Sequence, residues 1–256
     1  MSRVLLTEPH AHGQPGGVRL LTLNDPDKRN AMSPGLQADL AAAVEAVRTD
    51  PLARVLVVAG NGPAFSAGAD LPAVFGELER PVGEIRSALR ATYDTFLSVR
   101  RLEIPTIAAV HGPAVGAGVN LAMSCDLRLA GPRASFGVTF TKLGLHPGGG
   151  CTYFLTQALG AQRALALLLD GGSLDAQEAV AAGLVLDVVG EPLAAALELA
   201  GRYAALDPEL ARDIKRAVGI AVGGSFEQTL EFESWAQAAS AKKPQLAAAI
   251  TRFTRR

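Results

Sequence analysis

Apolar residues follow two different spacings along this chain of 256 residues. Short, nearly continuous apolar runs at Val18–Leu23 (VRLLTL), Arg54–Ala59 (RVLVVA), Thr106–Val110 (TIAAV), Leu127–Ala130 and Val185–Val189 read as strands. The second and third are apolar enough to be covered on both faces. Between these runs the spacing lengthens to three and four. Ser33-Pro34 supplies an N-cap and a first-turn proline for a helix reaching about Arg48. Asp70 opens a short helix, and Ile85, Leu89, Tyr93, Phe96 and Val99 predict an amphipathic helix over 83–102 that Pro105 stops. Helices are predicted again at Leu155–Leu169 and Asp175–Ala182, with loops at Gly60–Gly68 and Gly131–Gly150. From Pro192 the pattern is helical to the end, broken near Asp207-Pro208, Gly223-Gly224 and Pro244. Strands alternating with helices predict an α/β fold, and the all-helical last third predicts a separate helical layer or appendage.

Composition narrows the picture more by exclusion. The chain is 49% hydrophobic and 19% charged, enough for a sizeable core and too little charge for disorder. A net charge of −1 gives no reason to expect nucleic acid or an acidic membrane surface as a partner. No run of about 18 apolar residues occurs and MSRVLLTEPH has no signal-peptide pattern, so a cytoplasmic protein is expected. Cys125 and Cys151 are expected as buried thiols, and no cluster of side chains has metal-ligand spacing.

The stretches with the most chemical content are HGPAVGAGVN at His111–Asn120 and FSAGADL at Phe65–Leu71. Each leaves a strand, turns through glycine and enters a helix. That arrangement aims free backbone N–H groups and the positive end of a helix at one spot, where a phosphate or a developing oxyanion is favoured. One such turn does not choose between the two anions. Two turns converging on one oxygen are what an oxyanion hole requires. The dinucleotide pattern G-x-G-x-x-G with its downstream acid, the G-x-x-x-x-G-K-[ST] loop and the hydrolase G-x-S-x-G are all missing from the sequence.

In order along the chain, Lys28-Arg29-Asn30-Ala31, Ala64–Leu71, HGPAVGAGVNLA from His111, CDLRLA at Cys125–Ala130, Phe136-Gly137, the Gly144–Gly150 loop and Ala179–Val189 make the chain resemble the enoyl-CoA hydratase/isomerase (crotonase) family. The likeness spans roughly residues 18–240. It implies a crotonase-like spiral of ββα turns over residues 1–200, carrying the acyl-CoA site, and a helical trimerisation region over 201–256. It also implies an acyl-CoA or enoyl-CoA substrate in fatty acid metabolism, assembly as a homotrimer or dimer of trimers, and no cofactor beyond the coenzyme A of the substrate. By the same resemblance Ala69 and Ala117 donate the two oxyanion-hole N–H groups. Ala67, Asp70, Leu71, Gly116 and Phe140 lie along the substrate, and Lys28 stands near the coenzyme A phosphates.

The departures from the family pattern concern proton transfer. Asn120 and Phe140 occupy the positions of the two catalytic glutamates. Neither side chain exchanges a proton near neutral pH, so efficient water addition is not expected from this pair, and the catalytic part left to Asn120 is to orient a water or a substrate group. Between Glu103 and Asp170 the one carboxylate is Asp126, in a segment to which the resemblance gives a structural role. Lys142 and His146 remain, and His146 has the right chemistry for a base. His111 is expected to hold its turn, and the resemblance puts Glu77, Glu79 and Glu84 in a segment that can overhang an acyl tail. Two readings follow: an enzyme that stabilises a thioester enolate with an unusual proton-transfer group, or a non-catalytic acyl-CoA binder that kept only the cradle. Phe226, Leu230, Phe232, Trp235 and Ala239 form an apolar stripe that would be core in a monomer and that the resemblance places at a subunit interface. Lys242-Lys243 is expected as solvated charge, the alternative being contact with a coenzyme A phosphate.

Overall fold

The structure is a computed structural model and describes residues 2–9, 16–77 and 79–254. Contacts divide the chain into two compact units, Met1–Ala205 and Leu206–Arg256. The first unit begins with strands β1 (Val4–Thr7) and β2 (Val18–Leu23), helix α1 (Pro34–Thr49), strand β3 (Val55–Gly60), helices α2 (Leu71–Phe75) and α3 (Val82–Leu97), and strand β4 (Thr106–Val110). There follow β5 (Pro113–Val115), α4 (Ala117–Ser124), β6 (Leu127–Ala130), β7 (Ser135–Gly137), α5 (Cys151–Leu159) and α6 (Ala161–Asp170). It closes with β8 (Ser173–Asp175), α7 (Ala176–Ala181), β9 (Asp187–Val188) and α8 (Pro192–Ala204).

Six strands form one sheet in the order β1-β2-β3-β4-β6-β9, parallel except for β1 against β2. A second sheet has the order β5-β7-β8. The all-apolar strands are explained by cover on both faces. Leu56 and Val58 of β3 pack into the cluster that holds Leu36, Leu40 and Val44 of α1. Val55, Val57 and Ala59 turn the other way, into a cluster with Ala196, Ala200 and Ala204 of α8. Those alanines recur every four residues on one helix face, and their small side chains let α8 lie close to the sheet. Ser33 starts α1 as its sequence predicts, accepting a hydrogen bond from the Leu36 N–H at 3.4 Å.

Several boundaries differ from the sequence pattern, each for a local reason. The helix predicted over 83–102 ends at Leu97 and continues as a 3-10 turn at Val99–Arg101, which tightens the chain before Pro105. The helix predicted over 155–169 starts at Cys151 and is broken at Gly160, which caps both α5 and α6. The strand predicted over 185–189 pairs only at Asp187–Val188. The loop predicted over 131–150 contains β7, too short for a periodic signal. The division into units falls after Ala205 and not after residue 200, because Ala200 and Ala204 still pack with the sheet residues.

The second unit holds α9 (Pro208–Gly223), α10 (Phe226–Ser240) and α11 (Pro244–Thr254). Asp207 caps α9, and Ser225 with Gln228 forms a capping box on α10. The Arg216 guanidinium lies 5.2 Å from the Phe232 ring centre, joining α9 to α10. Phe226, Leu230 and Trp235 of α10 are exposed, as are Ile214, Val218 and Val222 of α9. Lys243, expected as solvated charge, is a surface charge held in ion pairs, its Nζ 2.6 Å from Glu209 and 3.5 Å from Asp207.

Candidate active site

The two glycine turns meet. Ser66 donates to Pro113 O at 3.2 Å and accepts from the Val115 N–H at 2.9 Å, so the chain at 66 runs beside β5 like an extra strand. Gly68 is what allows the approach: a Cβ there would lie 2.4 Å from Val115 O and 3.4 Å from Ala117 N, and its φ of +93° is one that other residues rarely adopt. On the far side, Ala67 donates to Arg29 O at 2.8 Å and Met32 donates to Gly68 O at 2.7 Å. The Met32 bond belongs to a parallel bridge between Met32 and Ala69. In that register the N–H of Ala69 points away from Met32. It donates to no group among the described residues. Ala117 is the first residue of α4, so its N–H has no intrahelical partner either. Two open backbone donors therefore stand on two turns that pack directly against one another.

These turns form one wall of a cavity of about 360 Å³, open to the surface and mostly apolar. Ala67, Ala69, Leu71, Gly116, Ala117, Asn120, Phe140 and His146, named from the sequence, all line it. Two residues named with them do not. Lys28 is exposed on the 3-10 turn Pro26–Lys28, beside the Arg29 that binds Ala67. Asp70 caps α2, its Oδ1 accepting the Ala73 N–H at 3.2 Å. Glu77, Glu79 and Glu84 are not among the lining residues, and Glu77 pairs with Arg80. His111 holds its turn as expected, its Nε2 donating to Gly62 O at 2.9 Å. Asp126 binds the Thr106 N–H and hydroxyl at 2.8 and 2.9 Å and ties α4's exit to β4.

The wall facing the turns is made of side chains. Phe140 lies over Gly116, where an added Cβ would be 3.7 Å from its ring, and Phe96 is fully buried beneath. His146 Nδ1 is 2.8 Å from Pro147 O. A carbonyl only accepts, so Nδ1 carries the proton, and in the neutral ring Nε2 keeps an unused lone pair.

Asn120 is 1% exposed and lies one turn after Ala117, on the same face of α4. Its Nδ2 donates to Gly148 O at 2.8 Å. Its Oδ1 is buried without a hydrogen-bond partner among the described residues, an arrangement that costs about 1–3 kcal/mol. A carboxylate at this position could not make the Gly148 bond, because it has no N–H to give.

Sequence reasoning placed Tyr93 in a helix stripe and did not name it for the site. The structure puts its ring in the cavity wall with the hydroxyl against Gly148. Burial raises the phenol pKa, and the Gly149 N–H directed at its oxygen pulls the other way. The signal was present as a phenol hydroxyl within the apolar stripe of α3. Among the lining residues, Tyr93 and His146 are the two whose side chains can exchange a proton.

The model of the enoyl-CoA hydratase/isomerase family matches residues 13–256. A Mycobacterium tuberculosis protein named "Probable enoyl-CoA hydratase EchA14" is 44% identical over 239 residues, covering 91% of this chain and 92% of that protein. The 2,3-dehydroadipyl-CoA hydratase of Escherichia coli is 39% identical over 204 residues, 78% of each chain. The crystal structure of an enoyl-CoA hydratase from Bacillus anthracis superposes with a TM-score of 0.87 at 29% identity, covering 99% of this chain and 96% of that one.

Proposed function

Because the chain belongs to the enoyl-CoA hydratase/isomerase family and is an acyl-CoA-processing enzyme of crotonase fold, we propose that its chemistry takes place where the two turns meet. The thioester carbonyl of an acyl-CoA lies between the N–H groups of Ala69 and Ala117, which stabilise the enolate as negative charge moves onto oxygen. The observation that carries this reading is the pair of open backbone donors in the wall of a mostly apolar cavity. The acyl chain follows the wall of Phe140 and Phe96. Coenzyme A lies toward the surface near the exposed Lys28, and nothing beyond the substrate's own coenzyme A is required. His146 exchanges the proton through Nε2, because Asn120 and Phe140 have none to exchange.

One assay tests the reading: purified protein with a series of unsaturated acyl-CoAs, following binding and turnover together. Binding with turnover is expected, and His146→Ala should lower kcat by about 10²-fold with little change in binding. Tight binding with turnover at the uncatalysed rate would replace the enzyme with the non-catalytic binder. An unchanged kcat in His146→Ala would remove His146 from the reaction.

The same proposal includes a trimer-based assembly and a cytoplasmic location. The exposed Phe226, Leu230 and Trp235 support the assembly. Among the described residues no helix is long and apolar enough to cross a membrane. Light scattering should give three or six times the 26.5 kDa of one chain, and a mass of one chain would overturn the assembly.

A further inference from the structure

We propose that Tyr93 is a binding residue for an oxygen on the β-carbon of the acyl chain, positioned by Asn120 through the Gly148–Gly149 peptide. The inference rests on the reading of the cavity as a thioester site. Its basis is a peptide held on one side and packed on the other: the carbonyl of Gly148 takes the hydrogen bond from Asn120 Nδ2 at 2.8 Å, and the Tyr93 phenol tip lies against the α-carbon of Gly148. The phenol O–H lies beside this peptide. It donates to no group among the described residues. The phenol tip also needs the bare α-carbon at Gly148, where a Cβ would come within 2.3 Å of it.

The result is a phenol O–H donor in a mostly apolar wall that Thr92 and Thr139 also line, beside the side chain that stands one helical turn from Ala117. A donor in such surroundings discriminates between ligands that offer it an oxygen and ligands that do not. Addition of water to an enoyl thioester places an oxygen on the β-carbon, the next carbon but one from the thioester carbonyl. The ligand class for which Tyr93 selects is therefore the 3-oxygenated acyl thioester. This also explains an amide at position 120. Asn120 does no proton chemistry; its N–H fixes the peptide that orients the phenol, which a carboxylate could not do.

The test compares dissociation constants of a 3-hydroxyacyl-CoA and the saturated acyl-CoA of equal length, by calorimetry. Native protein should prefer the 3-hydroxy ligand by about fivefold to tenfold, the worth of one hydrogen bond. In Tyr93→Phe that ratio should fall to about one while the saturated ligand binds as before. Gly148→Ala keeps the phenol and displaces its tip, so the ratio should fall there too. Asn120→Ala should lower it through the freed peptide. A merely structural role for these residues would weaken both ligands alike and leave the ratio intact, which would overturn the proposal. A ratio of about one in native protein that binds the saturated ligand overturns it too, with the thioester reading still standing. Failure of native protein to bind either ligand would defeat the thioester reading and this inference with it.

Discussion

The two walls of the cavity are built from different materials. The wall of the turns is backbone: its donors are the N–H groups of Ala69 and Ala117, and its shape comes from chains packed so closely that Gly68 has no room for a methyl group. The facing wall is side chain: Tyr93 comes from α3, Phe140 from the turn after β7, and His146 from the loop before α5. A backbone donor tolerates almost any residue type but no displacement. A side-chain wall can be rebuilt by substitution without moving the chain. The sequence resemblance follows that division: alanine at Ala117, within a turn, keeps its backbone N–H, whereas Asn120 and Phe140 change which side chains the cavity offers.

Gly68→Ala is the sharpest way to break the comparison. The new Cβ would meet Val115 O at 2.4 Å, and backbone contacts of that kind are relieved only by separating the turns. The left-handed φ adds strain of about 1–3 kcal/mol. Turnover should fall by about 10²–10³-fold, the loss associated with one oxyanion donor, while the fold outside the site persists. Retention of more than a tenth of native kcat would show that the turns move independently. By contrast, Tyr93→Phe should leave the carbonyl grip intact and alter only the choice of ligand, an effect ten to a hundred times smaller.

What could be read from the sequence divides along the same line. The parallel strands, α1 and the two turns were legible because β-branched runs, a Ser-Pro start and glycines after strands are local signals with local causes. Their pairing was inferred from the match to a family and not from either turn alone. Tyr93 was not legible as a site residue. It lies 55 positions from Gly148 in the chain, and nothing local says that α3 delivers its phenol to that peptide. β5, β7 and β8 were missed because three residues cannot show a period, and their pairing is decided by the turn that brings them together. The unpartnered Oδ1 of Asn120 is likewise invisible until its surroundings are known.

The smallest effect sharpens the comparison, and the two cysteines provide it. Cys125 ends α4, the helix that carries Ala117, and every residue of that helix is buried. Cys151 begins α5, at the end of the segment 141–150 that carries His146, where most residues are exposed. Both thiols are buried, 3% and 1% exposed, so neither meets an alkylating reagent without local opening. Burial pushes the Cys151 thiol up to about 12, so at pH 8 it reacts only in the opened state. Segments with an exposed backbone and few packed neighbours open at lower free energy than a buried helix. In Cys125→Ala and Cys151→Ala proteins, each with one remaining thiol, Cys151 should therefore be labelled severalfold faster than Cys125. A bound acyl-CoA should slow Cys151 more than Cys125. Equal rates for the two would mean that both walls open together, and the backbone wall would then have no rigidity that the side-chain wall lacks.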